Sequence, residues 1–274
     1  MMNYNYIMSR RGDLIMYNYH THTYRCGHAI GLDEEYVQEA IKSSYKGIGF
    51  SDHIMLPKLE EVLIRAHYKE INDYFSSINS LKEKYKKEIE IYTSFECEWD
   101  NNYEKFYRKL LQDNKVDYLI FGNHNCYFKG KKEHFLKYIS KKNYLRRYVN
   151  KSIKALRSGL FKIMAHPDIF MSGLKWDKDC EKVAKIICKE AKINNVALEL
   201  NCGCFINEKK KNICGEERYR YPFKQFWDIA KKEGNLIVVG IDAHAPSAFS
   251  SPNINLMNQF IEKNHIKVEK QINF

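Results

Sequence analysis

No stretch of this chain stays apolar long enough to cross a membrane. Its opening, MMNYNYIMSRRGD, lacks the continuous apolar core of a secretory signal, so a cytoplasmic protein is expected. No linker rich in Pro, Gly or Ser divides the chain, and it holds neither an internal repeat nor a low-complexity tract. Its 274 residues have room for one large core, as a single α/β barrel or as two smaller domains. Among eight cysteines there is no CxxC pair, and the NCGC of Cys202 and Cys204 has the wrong spacing for a zinc knuckle or a redox motif. Free thiols in a reducing compartment are the expectation. No nucleic-acid motif accompanies the formal charge of +11. The lysines fall in short runs such as KEKYKKE and NEKKKN, which read as solvated helix faces and loops, and a nucleic-acid partner is not expected.

What the chain does have is a concentration of histidine. YNYHTHTYRCGHA, residues 17–29, holds His20, His22 and His28, three of only ten in the chain. His20 and His22 alternate, so on a strand both rings point to one side. The β-prone LIMYNY just upstream reads as that strand. Adjacent imidazoles in a core are costly without a partner, and a divalent metal is one that histidine commonly meets.

Short β-like runs then alternate with helical patterns. LDEEYVQEAIKSS carries Tyr36, Val37, Ala40 and Ile41 on one helical face, with acidic residues in its first turn. KGIGFSDH, IEIYTSFECEW, VDYLIFGNH, FKIMAHPD, NVALELN and LIVVGIDAH read as strands. Between them lie the helical patterns YKEINDYFSSINSLKEKYKKE, NYEKFYRKLLQDN, YLRRYVNKSIKALRSG, CEKVAKIICKEAKIN and YPFKQFWDIAKKEG. Strands alternating with helices predict an α/β fold with a parallel sheet, and seven such units predict a closed barrel. An open doubly wound sheet is the alternative.

The remaining candidate ligands end these strands: His53, Glu96, Glu98, His124, His166, Asp242 and His244. In a parallel barrel those ends converge on one face, where active sites sit. His67, His134 and His265 fall instead in helical or charged surface stretches. Seven histidines with carboxylates exceed one tetrahedral site and suit two or three clustered ions sharing a bridging carboxylate. Cys26, Cys97 and Cys126 lie close enough in sequence to be considered as thiolate donors.

The set HTH…H, GFSDH, FECEW, GNH, AHPD and DAH resembles the PHP (polymerase and histidinol phosphatase) superfamily, from about Met16 to Ser250, and within it the stand-alone histidinol-phosphatases. The resemblance implies a distorted (β/α)7 barrel spanning residues 16–274 after an N-terminal extension, residues 1–15. It carries a metal-ligand set of His20, His22, His28, His53, Glu96, His124, His166, Asp242 and His244, holding two to three ions of zinc, manganese or iron. The implied division gives one ion His20, His22, Glu96 and Asp242, and a second Glu96, His124 and His166. A third would take His28, His53 and His244.

The activity implied is hydrolysis of a phosphoric monoester, L-histidinol phosphate in histidine biosynthesis, by hydroxide formed from a water bridging two ions. Asp52 and Asp168 are the candidates for orienting ligand histidines or protonating the leaving group. Arg65 is the candidate for phosphate binding, with Arg218 and Arg220 next, and Asp52, Asp168 or Glu98 for the substrate's amine and imidazole. One departure stands out: after the E-x-N strand, where such enzymes often carry a small polar segment ending in Arg, this chain reads ELNCGCFINEKKK. Two alternatives remain open, a phosphoesterase of the same superfamily acting on a phosphosugar, a phosphotyrosine or a nucleic-acid end, and a non-catalytic module that metal stabilises.

Overall fold

The structure is a computed structural model that describes residues 17–59, 61, 63–128, 131–134, 140–208 and 210–274, with the side chains of 125–128 and 131–134 left out. The expected N-terminal extension, residues 1–15, lies outside the described residues. In chain order the strands are β1 (Tyr17–Asn18), β2 (Gly47–Phe50), β3 (Glu90–Thr93), β4 (Glu96–Cys97), β5 (Ile120–Phe121), β6 (Asn125–Phe128), β7 (Lys131–His134), β8 (Ile163–Met164), β9 (Ala197–Asn201), β10 (Lys211–Ile213), β11 (Glu216–Arg218) and β12 (Ile237–Gly240). The helices are α1 (Asp33–Lys42), α2 (Ile71–Tyr85), α3 (Glu104–Gln112), α4 (Lys141–Arg157), α5 (Lys178–Ile193), α6 (Gly203–Asn207), α7 (Lys224–Glu233) and α8 (Ile254–Lys263). Among the described residues no helix is long and apolar enough to cross a membrane.

The helices begin and end where local chemistry dictates. Asp33, Glu34 and Glu35 occupy the first turn of α1, where a helix end favours negative charge, and Glu35 accepts the Leu32 N–H. Asp177 caps α5 by accepting the N–H groups of Asp179 and Cys180. Gly159, just past α4, and Gly234, at the end of α7, take φ of 71° and 70°, the left-handed turn that stops a helix.

The fold is α/β with parallel sheets. One sheet runs β1-β2-β3 and another β12-β9-β8-β5-β4, every neighbour parallel. Parallel bridges Thr21↔Ala243 and His53↔Glu96 lie between the two sheets. At the first, His22 N–H donates to Ala243 O at 2.8 Å; at the second, Ile54 N–H donates to Glu96 O at 3.0 Å. The single strand expected over IEIYTSFECEW is two segments, β3 and β4, with the sheets meeting at the break. Two antiparallel hairpins, β6-β7 and β10-β11, occupy lysine-rich stretches that had read as solvated runs.

Apolar side chains pack in two clusters. The larger joins outward-facing strand residues such as Ile48, Phe50, Leu198 and Leu200 to the helices, through Tyr36, Tyr74, Tyr148, Ile187 and Trp227. The smaller gathers Tyr19, Tyr118, Ile120, Ile163, Ala165, Ala197 and Val238 from the strands, with Ile272 from the end of the chain. Strands buried on both faces read as continuous apolar runs rather than alternating ones.

Candidate metal centre

All nine expected ligands come together at the C-terminal ends of the parallel strands, Glu96 from within β4 and the others from segments that follow strands. Glu96 sits at the middle. Its Oε1 lies 3.3 Å from His166 Nε2 and 3.5 Å from His124 Nε2, and its Oε2 lies 3.1 Å from His53 Nδ1. The same Oε2 is 3.6 Å from both His20 Nε2 and His22 Nε2. Asp242 Oδ1 approaches those two rings at 3.5 and 3.3 Å. His244 and His28 face each other Nε2 to Nε2 at 3.1 Å. Cys26 also comes near, its sulfur within 4.8 Å of ligand atoms of His22 and His244. Cys97 instead points to Phe95 O, and the Cys126 side chain lies outside the described residues.

Backbone conformation contributes to the aim. His166 and Asp242 have φ of 30° and 52°, a region L-residues rarely adopt and which structures tolerate mostly at functional sites. Gly122 provides space as well: a Cβ there would stand 2.3 Å from Glu96 Oε1 and 2.6 Å from His124 Cε1.

The residues fit a cluster of cations, and the hydrogen bonding of the rings says why. Nδ1 of His28 lies 2.8 Å from Cys26 O, and Nδ1 of His244 lies 2.9 Å from Asp242 O. A carbonyl only accepts, so both rings carry their proton on Nδ1, and the facing Nε2 atoms present lone pairs to one another. His20 Nδ1 on Glu199 at 2.8 Å and His124 Nδ1 on Glu98 at 3.0 Å are fixed the same way. Their Nε2 atoms face His22 and His166, each at 2.9 Å. The His28 and His244 lone pairs, opposed at 3.1 Å, repel unless a cation lies between them. Two ring nitrogens, each roughly 2.0–2.1 Å from one ion, span about such an edge.

The electrostatics agree. Burial alone would raise the Glu96 and Asp242 carboxyl pKa values, but the surrounding histidines outweigh it and hold both well below the usual range. Burial and the neighbouring His244 push His22 down to about 3, and burial keeps His53 well below its ordinary value. At His20 burial works against charge, yet Glu199, Asp242 and Glu96 outweigh it and raise its pKa well above normal. Ionised carboxylates and imidazole nitrogens thus converge on one spot, and several subsets of three lie close enough to hold an ion.

Two carboxylates orient the rings, and the sequence pointed to neither for that task. Glu199, in β9, accepts from His20 through Oε1 and from His166 N–H through Oε2 at 3.1 Å. Glu98 accepts both the Nδ1–H and the backbone N–H of His124 and forms an ion pair with Lys151. Lys151 and His124 hold its carboxyl at about 2 against the opposing effect of burial. The expectation that Glu98 would meet a substrate amine is therefore revised, since its carboxylate already serves His124 and Lys151. Glu199 sits one strand position from Leu198 and Leu200 in ALELN, and the only cue to it was an acid inside an apolar strand.

Asp52 and Asp168, expected to orient ligand histidines, are turned away from them. Asp52 accepts the Thr23 N–H at 2.7 Å and the Thr23 hydroxyl at 2.8 Å, fixing the turn that presents Cys26 and His28. Asp168 accepts from Phe223 N–H at 2.6 Å and Trp227 Nε1–H at 2.9 Å. Burial raises each carboxyl to about 6. Of the arginines, Arg218 lies off the cavity and donates to the carbonyls of Met171, Leu174, Tyr219 and Arg220. It is structural, because its guanidinium ties the β11 hairpin to the 169–174 turn.

Arg65 and Arg220 line a cavity of about 290 Å³ together with the histidine cluster, Tyr144, Ser172 and Tyr221. Arg65 is nearly buried, held by Ile54 O at 2.7 Å and by Glu61 at 2.9 Å. Arg220 pairs with Glu208.

The PHP domain family model matches residues 18–203. A Deinococcus radiodurans protein named "Probable histidinol-phosphatase" is 26% identical over 231 residues, covering 83% of this chain and 85% of that one. Two solved structures are similar in fold. A histidinol phosphate phosphatase from Lactococcus lactis, complexed with zinc, L-histidinol and phosphate, superposes with a TM-score of 0.71 at 18% identity. That match covers 93% of this chain and 96% of the other. A "putative histidinol phosphatase" from Listeria monocytogenes gives 0.70 at 19% identity, covering 87% and 99%.

Proposed function

The chain belongs to the PHP domain family, and from that premise we propose that it is a metal-dependent phosphoric monoester hydrolase, a histidinol-phosphatase acting on L-histidinol phosphate. The observation that carries this reading is the meeting of nine donor residues, eight of them lining one small cavity, with three pairs of imidazole Nε2 atoms facing each other near 3 Å. The relatives' names and the L-histidinol and phosphate held by the Lactococcus lactis protein support the substrate.

In this reading the two parallel sheets are one distorted (β/α)7 barrel. The bridges between them and the separate apolar cluster built from their inner side chains support that closure. A single domain covers residues 16–274, and residues 1–15 are dispensable. His20, His22, Asp242 and Glu96 would hold one ion, and Glu96, His124 and His166 a second. His28 and His244 would hold a third. His53 stands between the last two, its Nδ1 3.1 Å from Glu96 and its ring 5.7 Å from that of His28. Zinc, manganese and iron all suit such donors.

Bound divalent ions supply charge neutralisation at the phosphoryl oxygens and a lowered pKa for coordinated water. The chain's own residues do the rest. Glu199 and Glu98 hold the rings of His20 and His124 in the tautomer that leaves Nε2 unprotonated. Arg65, fixed on Ile54 O and Glu61, keeps further N–H groups for a phosphoryl oxygen at the cavity wall. Tyr144, Ile169, Ser172 and Tyr221 also line the cavity, whose volume suits a small ester rather than a polymer.

The test is phosphate release by the metal-loaded protein from L-histidinol phosphate against a panel of phosphosugar, phosphotyrosine and nucleotide-end esters. A preference in kcat/KM of roughly 100-fold or more for L-histidinol phosphate is expected, as for sites that hydrogen-bond a specific group. Preference for another ester would move the protein to a different substrate of the family. Release from none would end the phosphatase reading.

A further inference from the structure

A second pocket backs onto the metal centre. It measures about 600 Å³ and is lined by Trp99, Asp100 and Asn150, and by three cations of α4, Arg147, Lys151 and Lys154. The spacing i, i+4, i+7 brings those cations to one helix face, beside Asp100. Lys151 belongs to both sides. It lines this pocket, and its ammonium is paired with Glu98, which lines the metal cavity and holds both the ring and the backbone of His124. The Lys151–Glu98 ion pair thus links the two cavities, and its carboxylate orients the His124 imidazole of the metal site.

We propose that this outer pocket binds a small oxyanion of the phosphate class, and that its occupancy slows turnover by drawing Lys151 from Glu98. Inorganic phosphate, the product of the reaction proposed above, is the ligand the cations fit, and the regulatory half of the proposal rests on that reading. Three donors of fixed charge on one helix face suit a compact dianion. Lys151 carries three N–H groups on a flexible stem, so it turns toward the anion without backbone movement. Glu98 then loses its counter-charge, and His124 loses a rigid acceptor. Coupling between two sites ordinarily amounts to 5-fold or more, and a fall in kcat of roughly 5-fold at saturating phosphate is expected.

The experiment uses the metal-loaded protein, p-nitrophenyl phosphate as a generic ester, and inorganic phosphate added at constant ionic strength. In the unaltered protein phosphate should lower kcat as well as compete with substrate. In Arg147→Gln/Lys154→Gln the uninhibited kcat and KM should be unchanged and inhibition should become purely competitive. A binding arm needs no turnover: phosphate should change tryptophan fluorescence saturably, and both Trp99→Phe and the double variant should lose that change. Purely competitive inhibition in the unaltered protein overturns the regulatory claim. A fluorescence response identical in the double variant overturns the site itself. A saturable Trp99 response in a protein that hydrolyses no ester leaves the anion site standing and removes the phosphatase reading instead.

Discussion

Glu96 faces five imidazoles, two through Oε1 and three through Oε2. Glu96→Ala should therefore disturb two ion positions at once. A loss of at least roughly 100-fold in kcat/KM is expected, at or beyond the scale set by changes to ligand-supporting residues. Metal analysis of the purified variant should show fewer ions, while His265→Ala, outside the cluster, should retain both activity and metal. Glu199→Gln tests an orienting carboxylate. Glutamine keeps the shape but removes the charge on which His20 Nδ1–H rests, so metal affinity should fall roughly 10- to 100-fold, read by competition with a chelator. Glu96 could be recognised in the sequence because it ends a strand among other ligands. Glu199 and Lys151 could not, because an acid within an apolar strand and a lysine on a helix show their partners only after folding. For the same reason Asp52 and Asp168, each close in sequence to a histidine, were assigned to rings they do not touch.

At the scale of elements, the units that read clearly are those with a period. The helices keep one apolar face, and the central strands are buried on both sides. The β6-β7 and β10-β11 hairpins were missed because lysine-rich, Gly-containing segments give no such alternation, and cross-strand pairing alone defines them. Two glycines separate the element's stability from its service to the site. Gly159 has φ of 71° and open space where a side chain would stand, with nothing within 4 Å of an added Cβ. Gly159→Ala should therefore cost about 1–2 kcal/mol of stability and leave activity intact. Gly122, just after β5, has no such room. Gly122→Ala would drive a methyl group into Glu96 and His124, so metal content and kcat/KM should collapse more than thermal stability does. Melting curves paired with metal analysis of both variants check this; equal losses of metal would contradict the assignment of Gly122 to the site.

Across the whole molecule the metal centre and the closing of the core lie at opposite ends of the strands. The ligands follow the C-terminal ends, whereas at the N-terminal ends the last residues of the chain fold back. Glu269 N–H donates to Ile237 O, Ile272 N–H donates to the Tyr19 hydroxyl at 3.0 Å, and Phe274 stacks on Tyr118 at 4.1 Å. Tyr19 and Tyr92 meet the same ring edge-on, so Phe274 closes a cluster of aromatic side chains beneath the inner core. Nothing in the terminal KVEKQINF, a short polar stretch, announced that role, since Ile272 and Phe274 become meaningful only against Tyr19, Tyr92 and Tyr118, which lie far away in the sequence. Burying a side chain such as Ile or Phe contributes about 1.5–3 kcal/mol, and Phe274 is only partly covered. Deleting residues 271–274 should thus cost about 2–4 kcal/mol and lower Tm by roughly 5–15 °C. Metal content at room temperature should stay that of the full chain, because no ligand touches this end. Chelation should have the converse pattern: activity disappears, and Tm falls because ions bound only by the folded cluster no longer favour it. Measuring Tm for the full and shortened chains, each with and without chelator, tests whether the two ends contribute independently. Additive shifts are expected for sites so far removed in contact, and a shortened chain that had lost its ions before chelation would show that the floor of the core holds the metal centre in place.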